Sequence, residues 1–116
     1  MDTETTDFYC DYVLNGKLEV ERLRETENVL AFMHTKPSWS FHCVIVPKQH
    51  ITQLAEVHDM GIVKEIFEVA QSIILERGLH ETNYRIITNG GSFQDSHHLH
   101  FHLVSGENVS KVPISH

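Results

Sequence analysis

The segment His98-Leu99-His100-Phe101-His102-Leu103-Val104 alternates polar and apolar residues without a break. A period of two belongs to the β-strand, where residues i, i+2 and i+4 share a face, so the pattern predicts a strand from His97 to Val104. Three imidazoles then line one face about 7 Å apart, while Leu99, Phe101 and Leu103 enter a core. Four of the 10 histidines fall between His97 and His102. A row of that spacing can surround a phosphate-sized anion.

A neutral imidazole at the centre of such a row can attack phosphorus through its bare ring nitrogen, and charged neighbours stabilise the negative charge that develops. Two other readings compete. Alternating histidines also suit the wet face of an edge strand. Histidines two apart on a strand are also a common half of a zinc site, for which Asp95 is the nearest acidic candidate.

The rest of the chain supplies the setting. Phe8 to Leu14 suggests a short helix ended by the turn pair Asn15-Gly16. Lys17 to Leu23, Val29 to Met33 and Phe41 to Val46 read as three strands, the third stopped by Pro47. From Asp59 to Arg77 apolar residues recur every three or four positions and Gly78 follows, which predicts the one long helix. Asn83 to Asn89 reads as a further strand and Gly90-Gly91-Ser92 as a loop before the histidine row. The order predicts an α+β fold: an antiparallel sheet of about five strands, one long helix and one short N-terminal helix.

Length and composition bound the function. At 116 residues and 41% hydrophobic, the chain reads as one domain over 1–116 with a core that needs no staple. A net charge of −7 repels polymeric nucleic acid and anionic membrane, and no apolar run approaches the roughly 18 residues of a membrane span. Two distant cysteines and an acidic amino terminus lacking a secretory leader point to a reduced, cytoplasmic setting.

The histidine row resembles the motif His-φ-His-φ-His-φ-φ, φ being hydrophobic, of the histidine triad (HIT) superfamily of nucleotide hydrolases and transferases. The resemblance extends to His42-Cys43-Val44-Ile45-Val46-Pro47-Lys48-Gln49-His50, which is similar to a second family signature. It also covers Val29-Leu30-Ala31-Phe32, similar to the nucleoside-side strand, and Asn89-Gly90-Gly91 with Gln94, similar to the phosphate-binding loop. It implies a HIT-like fold closest in appearance to the Hint-like nucleoside phosphoramidase branch. His100 would be the nucleophile and form a transient nucleotidyl-histidine, His102 would contact the phosphate and help the leaving group, and His98 and His42 would form a hydrogen-bond relay. Asn89, Gln94 and Ser96 would serve the phosphate side, and Phe32 and His34 the nucleoside side. The substrate implied is a purine nucleotide, cleaved at its α-phosphate without metal or other cofactor. A homodimer through the long helix is implied as well, with Ile62, Ile66, Val69, Ile73 and Ile74 forming an apolar arc wide enough for core and partner.

Four positions depart from the family pattern. His34 stands where an aspartate or asparagine accepts the ribose hydroxyls, Asp95 where serine or threonine donates to the phosphate, and Phe41 where glycine precedes the strand histidine. A zinc-binding branch carries Cys-x-x-Cys near the amino terminus, of which Asp7-Phe8-Tyr9-Cys10 keeps the second cysteine, leaving Cys10 and His50 as two ligands where three or four are needed. The alternatives to a phosphoramidase are a dinucleoside polyphosphate hydrolase of the same fold, for which Lys36 and Lys48 are the available cations, a non-catalytic nucleotide-binding module, and a metal-binding protein.

Overall fold

A computed structural model describes residues 8–109; Asp7 and the carboxyl tail after residue 109 lie outside the described residues. Five strands form one sheet: β1 (Arg22–Glu25), β2 (Val29–Met33), β3 (Trp39–Pro47), β4 (Arg85–Thr88) and β5 (Phe101–Asn108). Their spatial order is β1-β2-β3-β5-β4, and every neighbouring pair is antiparallel. The long helix α1 (Gly61–Arg77) connects the first three strands to the last two. The expected α+β architecture is therefore present.

Alternation assigns each strand residue to one of two cores. On one face Val29, Ala31, Cys43, Ile45, Phe101 and Leu103 pack against Ile66, Val69, Ala70, Ile73 and Ile74 of α1. On the other, Leu30, Phe32, Val44 and Val46 pack against Tyr9 and Val13 of the N-terminal turn. Both faces of the central strands are covered, so β2 reads as an apolar run rather than as alternation.

The short N-terminal helix is a single wide turn, Tyr9–Val13, in which Leu14 N–H reaches back five residues to Tyr9 O at 2.6 Å. Gly16 follows at φ +83°, as the Asn15-Gly16 signal requires. Helix α1 starts where Asp59 Oδ1 accepts the Gly61 N–H at 2.9 Å. It ends at Gly78, whose φ of +67° lets its N–H reach the carbonyls of Ile74 and Leu75.

Four strands differ from expectation in their bounds. The third runs Trp39–Pro47 rather than Phe41–Val46, because Trp39 pairs with Asn108 of β5 and Pro47 with Val29 of β2. The first strand is Arg22–Glu25 rather than Lys17–Leu23, because Leu18 N–H bonds to Tyr12 O and ties the chain back to the N-terminal turn. The fourth is shortened to Arg85–Thr88, with the Asn83 side chain accepting instead from Gly106 N–H and Ser105 Oγ. The last begins at Phe101 rather than His97, since Leu99 N–H bonds to Ile51 O, outside the sheet, at 2.6 Å. The helix arc is also reassigned: Ile66, Val69, Ile73 and Ile74 are all buried within this chain. The exposed apolar residues beside them are Phe67, Leu75 and Tyr84.

Candidate active site

His42, His98, His100 and His102 are all buried, each at most 1% exposed. The wet-edge reading of the row is thereby overturned, since β5 lies between β3 and β4 in the sheet. His102 pairs across β3 with Val44, which makes His42 its diagonal neighbour on the same face. His42 Nε2 and His102 Nδ1 meet at 2.8 Å.

The backbone fixes the protons. Ser38 N–H donates to His42 Nδ1 at 2.9 Å, so a neutral His42 carries its proton on Nε2 and donates it to His102 Nδ1. His102 must then carry its own proton on Nε2. His100 Nδ1 lies 2.7 Å from His98 O; a carbonyl only accepts, so Nδ1 is protonated and the lone pair sits on Nε2. The two rings, 5.1 Å apart between centroids and nearly perpendicular, thus present a nucleophilic nitrogen beside an N–H donor. Neither Nε2 takes part in these hydrogen bonds. Thr88 Oγ1 donates to His100 O at 2.8 Å and fixes the nucleophile's backbone.

The expected relay of His98 with His42 is corrected: the bond runs from His42 to His102. His98 is drawn away because its Nε2 donates to Pro47 O at 2.7 Å. Its lone pair on Nδ1 faces Cys10 Sγ at 3.4 Å.

Two clusters bring three metal-type ligand atoms within 4.8 Å of one another: Cys10, His50 and His98, and His34, His42 and His102. Their proton patterns differ. In the first, His98 holds its Nε2 proton on a carbonyl, the outer contact that frees Nδ1 for a metal, so this nitrogen-sulfur set fits a soft divalent ion. In the second, Nδ1 of both His34 and His42 accepts a backbone N–H, which leaves the proton on the opposite nitrogen and disfavours ligation there. Asp95, exposed on its loop, joins neither cluster.

The other expected site residues are distributed as follows. Phe32 is 2% exposed and floors the second core, its ring centroid 6.0 Å from that of Tyr9. His34 stacks on His42 with centroids 4.4 Å apart. Its Nδ1 accepts from Lys36 N–H, so Nε2 carries the proton and a neutral His34 offers a donor there rather than an acceptor. Gln94 is buried, with Nε2 donating to Thr52 O at 2.8 Å. Ser96 is buried, with Oγ accepting from Phe8 N–H at 3.2 Å. Asn89 is half-buried directly after β4. Sequence reasoning missed Ser38, Pro47 and Thr88 as positioning groups; two of them act through backbone atoms, which leave no side-chain signal.

Burial and hydrogen bonding set the ionisation of three further groups. Burial pushes the Cys43 thiol up to about 12, so Cys43 is inert packing at neutral pH. Hydrogen bonds from Thr26 and Asn28 lower Glu65, and Lys48 followed by Arg22 lowers Glu25.

Comparison with known proteins places this geometry in context. The HIT domain family model matches residues 15–109. A HIT-like protein of Helicobacter pylori is 31% identical over 101 residues, covering 82% of this chain and 92% of the relative. A histidine triad protein from Clostridium difficile superposes with a TM-score of 0.80 at 32% identity, over 97% of this chain and all of that one. A HIT family hydrolase from Legionella pneumophila superposes at 0.81 with 28% identity, over 94% of this chain and 100% of its own.

Proposed function

The chain belongs to the HIT domain family, and on that premise we propose that it is a nucleotide hydrolase acting through His100, with a nucleoside phosphoramidate as substrate. The observation that carries this reading is the fixed proton pattern, a lone pair on His100 Nε2 beside an N–H on His102 Nε2. His100 Nε2 attacks the α-phosphorus, the N–P bond to the ring forms, and the bond to the leaving amine breaks as the amine takes up a proton from solvent, which the second step returns. Water then attacks phosphorus, the ring nitrogen leaves with its lone pair restored, and nucleoside monophosphate and a proton are released. His102 Nε2–H donates to a phosphate oxygen as its charge grows, and His42, oriented by Ser38, keeps that donor in place. The neutral relay holds one ring proton on each histidine and therefore stabilises by hydrogen bonding. Delivering a proton to the amine requires a third.

A purine base would lie against Phe32 and Tyr9. His34, with a donor where the family presents a carboxylate or amide oxygen, weakens ribose recognition. Asn89, Gln94 and Ser96 flank the phosphate side. A dinucleoside polyphosphate is less well matched, because Lys48 is bound to Glu25 at 2.6 Å and Lys36 is exposed on a loop. The Cys10, His50 and His98 set would hold a structural metal, which ties the N-terminal turn to the histidine row and takes no part in the chemistry. A cytoplasmic homodimer completes the proposal: β4 is a sheet edge, and Phe67, Leu75 and Tyr84 line an adjoining groove of about 580 Å³. Turnover of adenosine 5′-monophosphoramidate tests the activity. Release of AMP by the wild type and its loss in His100→Ala are expected, whereas AMP release by both would overturn the assignment of His100.

A further inference from the structure

We propose that a soft divalent cation of the zinc type, bound by Cys10, His50 and His98, holds the nucleophile in register without touching substrate, so that activity follows the supply of that metal. The inference rests on the nucleotide reading of His100 but is read out on the imidazoles themselves. One ligand atom from each of the three side chains lies within 4.8 Å of the others. Cys10 Sγ is 3.4 Å from His98 Nδ1, and the His50 and His98 rings are 5.6 Å apart between centroids. A thiolate and two imidazoles are donors that zinc favours.

His98 is the residue through which such a cation acts on His100. Its Nε2–H is held by Pro47 O at 2.7 Å, and its own carbonyl accepts the His100 Nδ1–H at 2.7 Å, the bond that places the lone pair of His100 on Nε2. Coordination at His98 Nδ1 therefore fixes a residue whose carbonyl sets the orientation and tautomer of the nucleophile. A second path runs through Cys10. The adjoining Tyr9 is 1% exposed, with its ring 5.0 Å from His100 and 5.8 Å from His98 between centroids, so coordination of Cys10 holds this ring against both histidines. Cys10 and His50 are thus positioning residues. The set is also open to exchange: His50 is exposed and borders an open polar cleft of about 540 Å³ that Glu56, His58 and Asp59 also line. A cation can reach or leave this corner with the sheet and α1 intact, and occupancy then varies with the free ion by mass action.

The test uses the full chain, stripped with chelator and titrated with Zn²⁺, followed by long-range proton–nitrogen NMR of the imidazoles and by turnover of adenosine 5′-monophosphoramidate. Binding of one ion per chain should shift His98 Nδ1 and convert the His100 signals from a mixture of tautomers to the single Nδ1–H form. The kcat should rise by about tenfold or more, the scale on which outer contacts of a metal site act, while KM stays within about threefold. In Cys10→Ala and in His50→Ala, Zn²⁺ should bind at least about tenfold more weakly, and the concentrations for half-maximal NMR shift and half-maximal kcat should move together. Zn²⁺ that binds the wild type without changing the His100 signals or kcat would overturn the coupling, as would the absence of binding. An unchanged response in both variants would place the ion on His34, His42 and His102 and overturn it as well. A stripped protein that loses its circular dichroism signal would make the ion a staple of the fold and refute control of a folded enzyme. If Zn²⁺ fixes the His100 tautomer while neither the loaded nor the stripped protein releases AMP, the coupling stands and the nucleotide reading fails.

Discussion

Replacing His42 with leucine removes the middle of the relay and preserves most of the side-chain volume. Two hydrogen bonds disappear, Ser38 N–H to His42 Nδ1 at 2.9 Å and His42 Nε2–H to His102 Nδ1 at 2.8 Å. The second leaves buried His102 Nδ1 unsatisfied at a cost of about 1–3 kcal/mol, while the half-buried Ser38 N–H can turn to water, so a loss of about 1–3 kcal/mol in urea-monitored stability is expected. The effect on chemistry is separable. Without its partner at Nδ1, His102 loses both the confinement of its proton to Nε2 and the contact that orients its ring, so the positioned donor to the phosphate is lost. Removing a donor of this kind costs about 10²–10³ in kcat, and because the interaction strengthens as charge develops, KM should change little. The assay is phosphoramidate turnover at saturating substrate, corrected for the folded fraction by circular dichroism. A folded His42→Leu protein whose kcat stays within threefold of the wild type would refute the proton assignment.

Other consequences follow from particular side chains. His34→Asp restores an acceptor in the nucleoside pocket and should raise discrimination between ribo- and deoxyribonucleotides by about tenfold or more, the scale of a charged hydrogen bond; unchanged affinity ratios by calorimetry would contradict this. With the Cys43 thiol raised to about 12 by burial, iodoacetamide at pH 8 should label Cys10 alone in the folded protein freed of metal by chelator, and peptide mass spectrometry showing equal labelling of Cys43 would contradict the burial argument. Phe67→Glu places a charge on the exposed face of α1 and should convert a dimer to monomer in sedimentation. A monomeric wild type removes the pairing proposal.

The strand alternation was legible because side-chain burial obeys it on both faces: Leu99 and His100 point to opposite cores although neither is in the regular strand. Where that strand starts was not legible, since it depends on the Leu99 to Ile51 bond across the fold. The histidine set was visible in the sequence, but its wiring was not. The choice of His102 over His98 as partner of His42 is made by a carbonyl at Pro47 and an N–H at Ser38; every residue presents such a carbonyl and every residue but proline such an N–H. Cys10 meeting His98 spans 88 positions, a separation at which local pattern carries no information. The wide apolar arc of α1 was ambiguous for a different reason: burial in the chain's own core and burial by a partner leave the same periodicity.

The central claim is that His100 forms a covalent bond to phosphorus. Protein mixed with adenosine 5′-monophosphoramidate for a fraction of a turnover and quenched in base, where the histidine N–P bond survives, should carry one adenylyl group on the His100 peptide in mass spectra. His100→Ala should carry none. AMP release from the wild type with no adduct at any quench time, or an adduct mapped to another histidine, would contradict the account.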